Sequence, residues 1–227
     1  MTLSLAGRTK QPVTQPVPVR IGGFGGCDGL ACYLQTEGID LLIDMTHPYA
    51  ANISRNAAEA AQKAKIPLIS FQRPPWKQHE EDDWQIVQNI PEAVDVLGMR
   101  PQKVFLALGR QELLPFEKAP QHTYVIRSVD PVIPPLQIPH AVYITDRGPF
   151  DLESEHQLLH QHAIETVVSK NSGGEASYGK IMAARNLGIK VVMVARPNLP
   201  NIHPVETLEE VYALTHSYLP PLENRGV

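Results

Sequence analysis

Apolar and polar positions divide this chain into two kinds of segment. Short runs rich in β-branched and other apolar residues recur at residues 2–6, 17–21, 39–44, 67–71, 103–108, 124–129, 141–145, 166–169 and 190–195. Most show no polar alternation, which is the pattern of strands covered on both faces by helices in a parallel sheet. Between them, residues 28–36, 53–64, 91–97, 152–162, 177–187 and 207–219 carry apolar side chains at helical spacing. Repeated strand–helix alternation predicts a doubly wound α/β architecture.

The alternation breaks in one region. A charged, aromatic and proline-rich segment spans Arg73 to Asp83, and Gly98 to Lys103 reads as a linker into a fresh strand. The pattern therefore predicts two small α/β domains, residues 1–98 and 99–227. Pro131, Pro134, Pro135 and Pro139 exclude a helix from the loop that holds them.

Composition narrows the classes of partner. With 227 residues, 43% of them hydrophobic, the chain can bury a core of its own. A net charge of −4, without long blocks of one sign, argues against a nucleic-acid partner, which would need a concentrated basic face. Cys27 and Cys32 are too few for a disulfide framework, and their spacing matches neither a CxxC redox pair nor a zinc knuckle. They read as ordinary thiols in a reducing compartment. Neither a signal-peptide pattern nor an apolar stretch of about 18 residues occurs, so a cytoplasmic protein without a membrane anchor is expected.

In open α/β sheets ligands collect at the carboxyl ends of parallel strands, where helix N-termini and unpaired backbone amides converge. Four such ends carry unusual residues: Gly22–Gly26, Asp44–Ala50, Gly109–Glu112 and Ser169–Gly174. The first, "GGFGG", fails as a GxGxxG fingerprint because Asp28 stands where the last glycine is required. Its glycines still permit positive φ and close approach of a ligand, with Asp28 as the expected helix cap. A flexible strand-to-helix turn is the other reading. "DMTHPYA" presents a hydroxyl, an imidazole and a phenol on a loop stiffened by Pro48, and reads either as a binding edge or as a plain helix start.

"SKNSGG" offers consecutive amides for an anion nest, with Lys170 adding charge. Gly174, Gly179 and Lys180 satisfy GxxxxGK, but Ile181 cannot offer magnesium a hydroxyl, so the P-loop reading is rejected. Arg110, Arg127, Arg147, Arg185 and Arg196 punctuate the second half and read as carboxylate forks or as surface charge. His156, His160 and His162 share one expected helix, but without a third ligand type in view they read as an exposed face rather than a metal site.

These motifs, taken in order, resemble the precorrin-6A and cobalt-precorrin-6A reductases of cobalamin biosynthesis. The resemblance runs through "SLAGRT" (Ser4–Thr9), "GGFGG", "DMTHPYA" (where the family usually has alanine in place of Met45), "RPPW" (Arg73–Trp76), "LALGRQEL" (Leu106–Leu113), "DRGPF" (Asp146–Phe150), "SKNSGG" and "AARNLGIKVVMVARP" (Ala183–Pro197). It implies two small Rossmann-like domains with mainly parallel sheets and a cleft between them. It also implies NADPH, or NADH in some members, as hydride donor to a double bond of an acidic tetrapyrrole. Carried over by motif, Arg8, Gly22, Gly23, Phe24, Gly25, Gly26, Thr46, His47 and Pro48 would line the cofactor. His47 or Tyr49, or solvent, would complete protonation. Arg110, Gln111, Lys170, Asn171, Ser172, Gly173 and Gly174 would grip substrate carboxylates or cofactor from the second domain. The implied partners are the tetrapyrrole and other enzymes of the cobalamin pathway.

Family members ordinarily begin with a strand and a "GGT"-type loop some thirty residues ahead of "SLAGRT", whereas Met1 lies three residues before Ser4 here. The expectation is therefore that the first strand and its diphosphate loop are missing. This leaves open a noncatalytic tetrapyrrole- or nucleotide-binding copy as the alternative function. A methyltransferase using S-adenosylmethionine is a further alternative, disfavoured by the two-domain layout.

Overall fold

Every one of the apolar runs contains a strand in the computed structural model, which describes residues 1–7, 13–199 and 204–219. In chain order the elements are β1 (Leu3–Leu5), β2 (Val19–Ile21), α1 (Gly26–Thr36), β3 (Leu42–Asp44), α2 (Ala51–Ala64) and β4 (Leu68–Ser70), then β5 (Trp84–Val87), α3 (Ile90–Asp95), β6 (Lys103–Ala107), β7 (Thr123–Ser128) and β8 (Ala141–Thr145). The remainder are α4 (Leu152–Gln161), β9 (Thr166–Lys170), α5 (Gly179–Asn186), β10 (Lys190–Val194) and α6 (Leu208–Tyr218). The chain divides into two compact units, Met1–Pro74 with Pro197–Val227, and Pro75–Arg196.

In the first unit β1 pairs with β2 and β3 with β4, both in parallel. Small residues on the facing sides of α1 and α2 let the helices approach closely, and Leu30, Ala31, Leu34, Ala57 and Ala60 form the core there. The returning chain joins this unit through a parallel bridge between Phe71 and Val205. α6 then starts at a capping box, with Thr207 and Glu210 each accepting from the other's backbone N–H.

The second unit is built on a six-stranded sheet in the order β5-β10-β9-β6-β7-β8, with every pairing parallel. Its central strands are sealed: Val104, Phe105, Leu106, Val167, Val168 and Val192 have no exposed surface. Such strands need no polar alternation because helices cover both faces. α4 packs against α5, and α3 packs against the 3-10 turn Leu114–Lys118. From β6 the chain steps outward through β7 and β8, then returns by α4 to β9 on the other side of β6. The direction of winding therefore reverses between β6 and β9.

Three expectations need correction. A boundary at residue 98 does not coincide with the units, because β5 pairs with β10 and so belongs, with α3, to the second unit. β5 itself lies in a stretch with no expected strand. It is an edge strand, with Ile86 56% exposed and Val87 fully buried, so it carries mixed residues rather than an apolar run. Finally, α1 starts at Gly26 with Gly25 in the left-handed region as its cap, so Asp28 sits in the first turn and does not cap the helix.

Candidate functional site

The glycine turn of the first unit joins β2 to α1. Gly22, Gly25 and Gly26 adopt φ of 116°, 82° and 92°, a region that disfavours any side chain. Among the described residues a Cβ added at Gly22, Gly23, Gly25 or Gly26 would meet nothing within 4 Å, so the backbone presents an open edge. Behind it the packing is tight, and a Cβ on Gly29 would stand 1.7 Å from the Phe24 carbonyl oxygen. Arg20, which the sequence does not single out, braces the turn. Its guanidinium donates to the carbonyls of Gly22 at 2.6 Å and Gly23 at 2.8 Å, and lies 3.8 Å above the Phe24 ring. Among the described residues no side chain caps α1, so its first N–H groups are left at the open edge with the positive end of the helix dipole. Arg8 lies outside the described residues.

The Thr-His-Pro-Tyr turn follows β3 in the same unit. Asp44 is buried and its Oδ1 accepts the Thr46 backbone N–H at 3.0 Å, while the Thr46 hydroxyl lies 3.2 Å from the Ser54 hydroxyl on α2. These bonds stiffen the turn from within. His47 is exposed, and its Nδ1 accepts the Tyr49 backbone N–H at 3.3 Å. A neutral imidazole with Nδ1 as acceptor carries its proton on Nε2. The His47 and Tyr49 ring centroids lie 5.6 Å apart.

In the second unit the expected substrate residues gather where the winding reverses, the position at which doubly wound sheets bind ligands. Arg110 and Gln111 lie in a short 3-10 turn after β6, and Lys170 ends β9, the neighbouring strand. Gln111 is exposed. The Lys170 ammonium donates to both carboxylate oxygens of Glu112, at 2.7 and 2.8 Å. Glu112 also accepts the Gly109 backbone N–H at 3.0 Å. Arg110 reaches the loop after β7, donating to Asp130 Oδ2 and to the Pro131 carbonyl, each at 3.3 Å. Each of these two cations, one following β6 and one ending β9, is thus held by a carboxylate of this chain.

The "SKNSGG" turn is positioned by Trp76. Asn171 Oδ1 accepts the Trp76 backbone N–H at 2.7 Å, and its amide nitrogen donates to the Trp76 carbonyl at 2.9 Å. The Trp76 indole N–H donates to the Gly174 carbonyl at 2.9 Å. The Asn171 side chain therefore clips the turn in place rather than presenting both amide atoms to a ligand. Gly173 and Gly174 take φ of 66° and 73°, which reverses the chain ahead of α5. Lys180, the lysine of the rejected GxxxxGK pattern, is 4% exposed. Its ammonium donates to the Ser177 carbonyl at 2.5 Å and lies 4.8 Å from the Trp76 ring. Burial pulls its pKa down to about 7; Glu155 works against that shift and Arg127 reinforces it.

Two of the arginines read as possible forks are committed elsewhere. Arg127 makes a bidentate pair with Glu155, with side chains 7% and 1% exposed, and its guanidinium lies 3.6 Å over the Phe150 ring. Arg185 binds Asp82 at 2.8 Å and the Tyr178 hydroxyl at 2.9 Å, and these bonds raise its pKa further. On α4 the His156 and His160 rings stack with centroids 6.4 Å apart. Sequence reasoning gives Asp130 and Arg20 no place, and it includes Glu112 and Trp76 only within longer motifs, without a role for either. Nothing local to Trp76 signals that its partner is Asn171, far along the chain. Among the described residues no helix is long and apolar enough to cross a membrane.

Comparison with known proteins agrees with this geometry. Residues 1–216 match the family described as precorrin-6x reductase CbiJ/CobK. A precorrin-6A reductase of Sinorhizobium sp is 52% identical, covering 96% of this chain and 84% of the relative. One from Rhodobacter capsulatus is 45% identical, covering 92% and 83%. A solved structure titled CobK precorrin-6A reductase superposes with a TM-score of 0.92 at 43% identity, covering 96% of this chain and 86% of that one. By both sequence and fold, the chain belongs to the precorrin-6x reductase CbiJ/CobK family.

Proposed function

We propose that this protein reduces precorrin-6A in cobalamin biosynthesis, with a hydride and a proton adding across one double bond of the macrocycle. The observation that carries the reading is that Arg110 follows β6 and Lys170 ends β9, the two neighbouring strands between which the winding of the sheet reverses. A polyacidic ring needs such a pair, because charge-assisted bonds to carboxylates fix both position and orientation.

The open glycine edge fits a nicotinamide dinucleotide: its backbone is unobstructed where a bulky ligand would lie, and the uncapped start of α1 suits a phosphate. Gly22, Gly23, Phe24, Gly25 and Gly26 would hold it, together with Thr46, His47 and Pro48. When bound, NADPH supplies the hydride, and electrons balance by its oxidation to NADP⁺. The protein's own contribution is placement and charge. Lys170 and Arg110 hold macrocycle carboxylates, and Gln111, Ser172, Gly173 and Gly174 complete that wall, with Asn171 fixing the turn. The proton for the neighbouring carbon comes from the His47 imidazole, from the Tyr49 hydroxyl or from solvent.

Mixing purified protein with NADPH and precorrin-6A and following the reduced-nicotinamide absorbance tests the reading. Absorbance should fall with macrocycle consumption, and running NADH in parallel reports cofactor preference. Macrocycle binding without nicotinamide oxidation would refute the reductase assignment in favour of a binding protein.

A further inference from the structure

We propose that Glu112 is the resident counter-ion and positioning residue of Lys170, holding its ammonium where the sheet's winding reverses and ceding it to a carboxylate of the bound macrocycle. The inference rests on the reading of Lys170 as a group that grips macrocycle carboxylates. Glu112 is set by its own turn, with Oε2 accepting the Gly109 N–H. A Cβ on Gly109 would lie 3.1 Å from that same oxygen, so glycine there leaves the carboxylate room to fold back. From this seat Glu112 receives Lys170 evenly on both oxygens, at 2.7 and 2.8 Å.

Exposure separates this pair from the sealed Arg127–Glu155 pair. The Arg127 and Glu155 side chains are 7% and 1% exposed, and their role is structural. Lys170 and Glu112 are 15% and 28% exposed, so a ligand can reach the ammonium while most of the surrounding water is excluded. The Arg110–Asp130 pair is likewise partly exposed, at 33% and 14%. The two cations are thus neutralised at home, and an incoming carboxylate replaces a resident one instead of adding to an open positive site. Replacement makes recognition depend on the ligand outcompeting Glu112, which favours a rigid polyacid over single carboxylates.

The test compares Glu112→Gln, Lys170→Met and the double variant by KM and kcat for precorrin-6A, with thermal melting as a check on folding. Glutamine keeps an oxygen for Gly109 and Lys170 but removes the competing charge. Its KM should fall about fivefold, the scale of one partly exposed ion pair, with the change in KM rather than kcat. Lys170→Met should raise KM, and adding Glu112→Gln to it should then change nothing further. An unchanged KM in Glu112→Gln, or the same fall in the Lys170→Met background, overturns the counter-ion role. An unchanged KM in Lys170→Met overturns the parent reading of Lys170 and the proposal with it. If Glu112→Gln does not fold, Glu112→Asp, which withdraws the charge by one methylene, must lower KM in the same direction or the proposal falls.

Discussion

Replacing Lys180 by methionine tests the electrostatic account of the second unit. The ammonium is 4% exposed, and burial lowers its pKa to about 7 from the ordinary 10.5. A base whose folded pKa is depressed is charged at a cost below that pKa. Between pH 7 and 10.5 the unfolded chain holds the proton and the folded chain does not, so stability rises with pH across that window. At 1.36 kcal/mol per pKa unit the full increment is on the order of 5 kcal/mol, of which about 2 kcal/mol falls between pH 7 and 9. With an m-value of about 2 kcal/mol/M, that is a rise of about 1 M in the urea midpoint. Methionine fills a similar volume without a titrating group, so Lys180→Met should lose that rise while other groups titrate as before. Urea unfolding at pH 7 and pH 9, followed for both proteins, measures the difference. An equal rise in Lys180→Met would refute the assignment of this proton to Lys180.

Other substitutions probe the glycine edge and the turn beside β9. Gly29→Ala would place a methyl 1.7 Å from the Phe24 carbonyl, so a stability loss of about 1–3 kcal/mol and weakened NADPH binding are expected by thermal melting and cofactor titration. Asn171→Ala removes both bonds to the Trp76 backbone; a loss of about 1–3 kcal/mol and altered tryptophan fluorescence should follow, and an unchanged spectrum would deny the clip. Glu155→Ala leaves the Arg127 guanidinium buried without its carboxylate and should cost about 3–5 kcal/mol in denaturant unfolding, whereas replacing both partners with apolar residues should cost far less.

Much of the architecture is legible in the chain itself. Val104 to Leu106 and Val191 to Val194 read as unbroken apolar runs, and they are buried parallel strands because helices flank both faces of such a sheet. Glycines at 22, 25 and 26 announce a turn with positive φ, and they adopt it. What periodicity could not supply was partnership across distance. β5 looks mixed in isolation and becomes a strand only because β10 offers its edge. Arg127 and Arg110 are the same residue type, yet one is sealed against Glu155 and the other, partly exposed, reaches Asp130 from beyond the end of β6. Asn171 finds Trp76, and Lys170 finds Glu112, through the order in which strands lie in the sheet. Local propensity acts over a few residues, whereas the charge, burial and reach of a side chain depend on neighbours that only folding brings together.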